Sequence, residues 1–423
     1  MSILATMKKT SRVALYCAAL AALLVAAPAA AQTLVSAGAF YTQTNEPSGN
    51  KVIIASISTA GSLTYLTSVN TGGVGVTSAA TADALFSQNS VTVGGGFVFV
   101  VNAGSNTLST FSISNFGLTL TLLNTADTQG TFPISVAYSS SLKLACVLNG
   151  GVSNGVTCFK VASGTGSTFA SKVALQISGL SDSPAGPLGT LSDIAFDASS
   201  TQVLVSLKGN PTTPGTLYVI SVSASGVLGA AVSNTVTPSR VFFSLTNIGS
   251  SNAWAFSDAG FGYGTFTLSG SSVTGAVAVP LASNRANCWT AYAPQSGRLL
   301  VIDGAGIVTT VSVSTTTSPV SSTVVGNGTV STGLLDATVA VIGGSEYLVA
   351  VSQNLVGVVS VKLDGNGVLM GQQSLNLTGV AVQSHRLQGA AVYVSSISSP
   401  SSAATSLVWT CVVAAIAALM MSA

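Results

Sequence analysis

The sequence RANCWTAYAPQSGRLLVID, residues 285–303, contains two short strands separated by a turn. Asn287–Tyr292 and Arg298–Asp303 are rich in apolar and β-branched residues, and Pro294–Gly297 between them form a turn. A comparable first strand returns about every 45–50 residues along the chain, which indicates one repeated supersecondary unit.

The other predicted first strands share this alternating pattern and follow turn residues. They are Asn89–Val93, Pro133–Tyr138, Ser192–Phe196, Val241–Thr246 and Asp336–Val341. Each is followed by a second strand, such as Gly96–Asn102 or Lys143–Asn149, then by a third strand and a more polar fourth. Four antiparallel strands at this period are typical of a propeller blade.

The two ends of this repeat pattern complete each other. Ala37–Thr44 is a second strand with no first strand before it, and Leu387–Val394 is a first strand with nothing after it. Joining them adds a seventh blade to the six inside the chain and removes the exposed sheet edges. The prediction is an all-β fold, a seven-bladed β-propeller closed by pairing of the N- and C-terminal strands. A pair of β-sandwiches or a β-helix explains neither orphan strand.

Residues 1–31 have the pattern of a signal peptide. Basic side chains precede an uncharged apolar run, Val13–Ala27, and the small residues Ala29–Ala31 come before Gln32. Cleavage is expected after Ala31. The run is too short to favour a membrane anchor.

Residues 397–423 have the pattern of a GPI-attachment signal, with cleavage near Ser398 or Ser399. A small, polar stretch, Ser395–Ser406, precedes the uncharged apolar tail Leu407–Met421. A lone tail anchor is the alternative. The sequence therefore predicts a propeller over residues 32–396, secreted and held at the cell surface, in the outer membrane leaflet or the cell wall.

The charge balance limits the possible binding partners, and the composition limits the helix content. Without Lys8, Lys9 and Arg12, ten basic side chains remain against eleven acidic ones. This near-neutral balance argues against nucleic acid as a partner. No stretch of the body is rich in Ala, Glu, Lys and Leu with a helical period, so helix is expected to be nearly absent.

The remaining cysteines and two sequons agree with export. Folding the hairpin around residues 148–155 places Cys146 opposite Cys158, so we expect a disulfide between them and a free thiol at Cys288. Asn327 and Asn376 each begin an acceptor sequence for N-glycosylation.

Several stretches resemble the lactonase-type seven-bladed propellers. They are Gly38–Asn45, Phe97–Phe111, Phe132–Ala137, and Arg285–Tyr292 with Pro294–Gly297. This family includes 3-carboxy-cis,cis-muconate lactonizing enzyme and bacterial 6-phosphogluconolactonase, and the chain is most similar to its fungal secreted, carboxymuconate-cyclase-like members. The resemblance covers nearly the whole mature chain and implies the fold more securely than the activity.

Charged residues are concentrated at the starts of first strands. Arg240, Arg285 and Arg386 each precede one, and His385 is beside Arg386. Because innermost strands surround the central channel, these positions are expected to meet at one mouth. Asp193, Asp336 and Gln88 occupy comparable positions.

The predicted site binds a small anionic molecule in the central channel. The three arginines and Gln88 would hold a carboxylate or phosphate, while His385, Asp193 or Asp336 would carry the proton. The alternative is that these charges pair with one another to satisfy the channel rim. In the muconate-cyclising branch a channel His and Glu are implicated, and neither Glu46 nor Glu346 matches that role.

Two hypotheses follow. The first is a lactonase or lactonising isomerase acting on a small carboxylated substrate, and the second is a non-catalytic cell-wall glycoprotein for adhesion or ligand binding. A G-x-S-x-G match at Gly151–Gly155 lies in a hairpin, so it is interpreted as a turn. With one His and no Cys or carboxylate cluster, no metal or other cofactor is expected. A monomer is expected.

Overall fold

Backbone hydrogen bonds join 28 strands into seven four-stranded antiparallel sheets. The structure is a computed structural model and describes residues 36–76, 83–249, 252–317, 319–380 and 386–395. In those residues one short 3-10 helix, Asn115–Gly117, accompanies the strands, so the expected near-absence of helix is confirmed. The predicted export signals, the cleavage positions and His385 lie outside the described residues.

The strands fall into seven blades. Blade 1 contains β28 Gln388–Val394, β1 Ser36–Gln43, β2 Lys51–Ser58 and β3 Leu63–Asn70. Blade 2 contains β4 Val91–Gly94, β5 Phe97–Asn102, β6 Thr107–Ser114 and β7 Thr119–Asp127. Blade 3 contains β8 Pro133–Ser139, β9 Leu144–Asn149, β10 Gly155–Ala162 and β11 Gly166–Ala174. Blade 4 contains β12 Leu191–Phe196, β13 Gln202–Leu207, β14 Gly215–Val222 and β15 Leu228–Val236.

The last three blades are consecutive in the chain as well. Blade 5 contains β16 Thr246–Asn247, β17 Ala253–Asp258, β18 Gly262–Ser269 and β19 Ser272–Pro280. Blade 6 contains β20 Asn287–Ala293, β21 Arg298–Asp303, β22 Ile307–Ser314 and β23 Ser321–Thr329. Blade 7 contains β24 Leu334–Ile342, β25 Ser345–Ser352, β26 Gly357–Leu363 and β27 Leu369–Asn376.

Blade 1 closes the ring as predicted. Strand β28 pairs antiparallel with β1, with Gly38 opposite Val394 and Gln43 opposite Gln388. The Thr42 hydroxyl donates to the Gln388 carbonyl at 3.0 Å, which fixes the register at the start of β28. The seven-bladed fold closed by its two termini is therefore confirmed.

Burial follows the position of a strand within its blade. Second strands such as β5 and β9 are buried along their whole length, because both faces of the sheet pack against neighbouring blades. The fourth strands, such as β23, alternate between half-buried and exposed residues at the rim. The hydrophobic core therefore lies between blades, where aromatic pairs such as Phe99 of blade 2 and Tyr138 of blade 3 stack with their ring centres 5.0 Å apart.

Two predicted first strands begin later than expected. In blade 5 the prediction Val241–Thr246 is wrong, since only Thr246–Asn247 forms a strand. Backbone donors that would join the ladder bind side chains instead: Val241 donates to Asp258 at 3.0 Å and Leu245 donates to Asp193 at 2.9 Å. In blade 2 the strand begins at Val91, because Asn89 has a positive φ of 63°.

The cysteines are arranged as the predicted hairpin requires. Cys146 on β9 is directly opposite Cys158 on β10, and the two form a disulfide. Cys288 on β20 has a free thiol. Residues 150–154 connect these two strands as a hairpin loop, so they form no nucleophile elbow.

The alternating strand direction gives the ring two distinct faces. First strands begin and second strands end on one face, which we call the top face. The turns from first to second strands, and from third to fourth strands, lie on the bottom face. Among the described residues, no helix is long and apolar enough to cross a membrane.

Candidate functional site

Residues 83–90 fill the centre of the ring, and we call this segment the plug. Its residues Leu85, Phe86, Ser87, Gln88 and Ser90 are all at most 5% exposed. The plug forms hydrogen bonds to the first strands of four blades, β8, β12, β20 and β24. Because those strands stand on different sides of the ring, the plug occupies the central channel itself.

Asn89 joins the plug to two of the predicted catalytic residues. Its side-chain amide donates to Asp193 Oδ1 at 3.0 Å, and its backbone N–H donates to Asp336 Oδ2 at 3.0 Å. Asp193 also accepts hydrogen bonds from Ser135 and from the backbone of Leu245. The structure thus brings Asp193 and Asp336 together, but engages both carboxyl groups in holding the plug.

The two carboxyl groups are almost completely buried. Asp193 is 0% exposed and Asp336 is 4% exposed. Burial raises the pKa of Asp193 to about 7, although the hydrogen bonds that this carboxyl group accepts lower its pKa. Burial also raises the pKa of Asp336 well above its usual value. The alternative prediction, in which the charged side chains pair with one another at the channel rim, does not describe Asp193 and Asp336.

Gln88 is also engaged inside the plug. Its amide nitrogen donates to the Thr290 carbonyl on β20 at 2.9 Å, and its amide oxygen accepts the Thr290 N–H at 3.4 Å. Both ends of the side chain therefore bind backbone in the arrangement described. A direct role for Gln88 in binding substrate would need these bonds to be broken.

Lys208 is a central residue that the sequence reasoning missed. Its ammonium donates to the carbonyls of Phe86 and Leu191 at 2.6 and 3.1 Å, and lies 4.3 Å from the ring centre of Phe243. Burial lowers the pKa of Lys208, and the nearby Asp83 carboxylate opposes that shift. One signal was present in the sequence: the lysine directly follows the apolar strand β13.

Two of the predicted arginines occupy matching positions at the top face. The backbone N–H of Arg240 donates to Asp258 at 2.6 Å, and that of Arg285 donates to Asp303 at 2.7 Å. Both acceptors are the last residues of second strands. These bonds fix the backbone and leave both arginine side chains exposed.

The guanidinium groups are weakly engaged. That of Arg240 donates to the Pro211 carbonyl and that of Arg285 to the Asn284 carbonyl, each at 2.9 Å. Within the described ranges neither forms an ion pair with a carboxylate. Arg386 differs, because it is paired with Glu46 at 3.1 Å.

A groove of about 430 Å³ lies elsewhere, on the bottom face between blades 6 and 7. It includes Glu346, whose carboxylate accepts the backbone N–H groups of Gln295 and Ser296 at 2.5 and 3.1 Å. Glu346 therefore holds a turn far from the top face. In the described part of the chain no group of three or more potential ligands could hold a metal ion.

The fold and the sequence agree with one class of protein. Residues 37–176 match the family model for the lactonase, 7-bladed beta-propeller. Over those residues the sequence is similar to lactonase-type propellers, and the described chain has the seven-bladed propeller fold. No protein of curated function matches the sequence.

Solved structures with this fold include two bacterial proteins. The periplasmic gluconolactonase of Pseudomonas aeruginosa superimposes with a TM-score of 0.62 at 14% identity, covering 84% of this chain and 100% of that one. A candidate 6-phosphogluconolactonase from Bacteroides fragilis superimposes with a TM-score of 0.63 at 14% identity, covering 84% and 98%. At these identities the likeness concerns the fold alone.

The buried carboxyl groups predict a pH-dependent stability. A carboxyl group whose pKa rises from 3.8 in the unfolded chain to about 7 in the folded one binds its proton more tightly when folded. Its contribution is complete below about pH 4 and is lost as the pH rises through 7. We expect the free energy of unfolding to fall by roughly 2–4 kcal/mol between pH 4.5 and 7.5.

Asp193→Asn should make this slope shallower, because an amide does not titrate whereas Asp336 still does, and the exposed Asp127→Asn should keep the wild-type slope. Urea unfolding at a series of pH values measures both. A slope in Asp193→Asn as steep as that of the wild type would contradict the assignment.

Proposed function

We propose that the protein is an exported lactonase-like propeller that holds a small carboxylated molecule at its top face and acts on its lactone ring. The observation that carries this proposal is the pair of exposed guanidinium groups of Arg240 and Arg285. Each donates to a single backbone carbonyl, which leaves further N–H donors for a ligand. A guanidinium binds a carboxylate through two parallel hydrogen bonds.

Arg285 is the stronger of the two candidates. It begins the RANCW stretch that resembles the family, and its backbone is held by Asp303 in the same way as Arg240 is held by Asp258. This rigid backbone reduces the entropy lost when the side chain binds. Arg386 is a weaker candidate for binding the ligand, because the ligand would have to compete with Glu46 for its guanidinium group.

The chemistry needs one more group. Lactone hydrolysis requires a base that takes a proton from the attacking water, and the ring oxygen must be protonated as it leaves. His385, beside Arg386 in the sequence, is proposed as that proton carrier. Asp193 and Asp336 are unsuited to this role while Asn89 holds them.

A second candidate function rests on the plug. The channel is filled by chain at its centre, and the carboxyl groups of Asp193 and Asp336 are used to hold it. These observations favour a non-catalytic glycoprotein that binds ligands or surfaces through the same arginines. Both candidate functions include binding of an anionic ligand, and they differ only in whether the protein converts that ligand to a product.

The proposed location is the cell surface, through the predicted signal peptide and GPI anchor. Asn327 and Asn376 support it, because both are exposed and both lie on outermost strands, β23 and β27. Glycans at these positions would point away from the ring. A shift in mass after deglycosylation of the secreted protein would test this part of the proposal.

Turnover of the purified mature protein against a panel of lactones and muconates separates the two candidates. The proposal predicts ring opening or closure of at least one carboxylated member, and no turnover of its uncharged ester. Binding of the acid without turnover would support the second candidate. If no member binds or reacts, both candidates are wrong.

A further inference from the structure

The plug is attached to the ring by hydrogen bonds, and Lys208 of blade 4 supplies an ammonium donor among them. The Phe86 carbonyl accepts hydrogen bonds from Lys208 at 2.6 Å and from Ser192 at 3.2 Å. Blades 2, 3, 5 and 6 carry shorter side chains at the end of the second strand, namely Asn102, Asn149, Asp258 and Asp303. A lysine extends further, and here its ammonium reaches the plug.

The backbone of the plug is held in an unfavourable conformation. Phe86 has φ of 51°, in the left-handed region that bulky side chains avoid, whereas Asn89 has φ of 63°, which asparagine tolerates. Asp336, which binds Asn89, has φ of 53°. A bulky residue such as Phe86 costs about 1 kcal/mol or more in this region and persists there only where surrounding contacts impose it.

We propose that residues 83–90 form a releasable plug pinned by Lys208, and that its release opens the top end of the central channel. Release would break the hydrogen bonds of Asn89 to Asp193 and Asp336 and relieve the strain at Phe86. The two carboxyl groups would then face the channel. This inference concerns access to the channel and does not depend on the ligand proposed for the arginines.

Cys288 provides a reporter for this opening. Its neighbour Trp289 donates from the indole N–H to the Ser87 carbonyl of the plug at 3.2 Å. Cys288 is half-buried; this burial raises the pKa of its thiol, and the positive charge of Lys208 lowers it. Removing that charge alone would therefore slow the reaction of the thiol, since the thiolate is the reactive form. Opening the plug would accelerate it.

The experiment measures the rate at which Cys288 reacts with a soluble disulfide reagent in the native protein. A background with Cys17→Ser and Cys411→Ser leaves Cys288 as the one thiol outside the disulfide. Lys208→Met should react at least 10-fold faster than the wild type. Asn89→Ala should also react faster while keeping the charge of Lys208, and the exposed Lys51→Met is the control that should not change.

The urea dependence of the wild-type rate provides a test without variants of the plug. Release of the plug exposes far less surface than unfolding of the whole ring, so the rate should rise much less steeply with urea than global unfolding does. A rate that follows the full unfolding slope would overturn the proposal. So would folded Lys208→Met and Asn89→Ala proteins that react no faster than the wild type.

Discussion

The substitution Ala390→Asp is expected to lower the melting temperature by about 10 °C or more. Ala390 lies on β28, the strand that closes the ring, and is 3% exposed within the largest hydrophobic cluster. A carboxylate placed there would lose its hydration without gaining a partner, at a cost of several kcal/mol. Because β28 reaches its blade only through β1, weakening it exposes the edge of that strand.

The matched control is Val394→Asp at the other end of the same strand. Val394 is 42% exposed, so its replacement adds the same charge where water can hydrate it. Surface substitutions of this kind change stability by about 0.5 kcal/mol or less. Thermal melts of the two variants measure the difference, and equal melting temperatures would show that β28 does not complete the sheet.

The blades could be predicted because their strands are specified locally. Alternating apolar residues and turn residues recur in every repeat, and the two orphan strands at the ends required a partner. The first strand of blade 5 was predicted too long, since its pattern is apolar but its N–H groups bind Asp258 and Asp193. Nothing in a single strand reveals that a distant side chain will take its donors.

The plug was not predicted, because its partners are far away in the sequence. Gln88 and Thr290 are separated by 202 residues, and Asn89 and Asp336 by 247. The sequence placed Asp193 and Asp336 at the starts of innermost strands, which is where they lie. It could not show that another part of the chain would occupy the space between them.

For the arginines, the sequence predicted the position of the backbone but not the contacts of the side chains. Their position before first strands predicted a shared face, and Arg240 and Arg285 do occupy equivalent positions there. Their exposure and the pairing of Arg386 with Glu46 depend on side-chain packing at the rim. The sequence therefore indicated which residues to compare, and the structure separated two exposed arginines from a paired one.

Arg285→Ala is expected to weaken the binding of a small carboxylate by roughly 10- to 100-fold. A hydrogen bond to a charged group contributes about 1.5–3 kcal/mol, and because the Arg285 side chain is exposed to water, its two bonds together are expected to contribute about as much as one such bond. Arg285→Lys should recover only part of the affinity, because an ammonium keeps the charge but loses the planar pair of donors. The affinity should also fall as the salt concentration rises.

Arg298→Ala is the matched control. Arg298 begins a second strand and therefore lies at the bottom face, where its side chain donates to the Asn366 carbonyl and the Ser312 hydroxyl, each at 3.1 Å. Its removal takes the same charge from the protein at a distance from the proposed site. Any change in affinity should stay within about 3-fold, since long-range attraction through water is screened.

The most direct test of anion binding at the top face is calorimetric titration of the wild type, Arg285→Ala and Arg298→Ala with the tightest-binding acid of the lactone and muconate panel. The proposal predicts that affinity falls at least 10-fold in Arg285→Ala and stays close to that of the wild type in Arg298→Ala. Equal affinities in the two variants would contradict it.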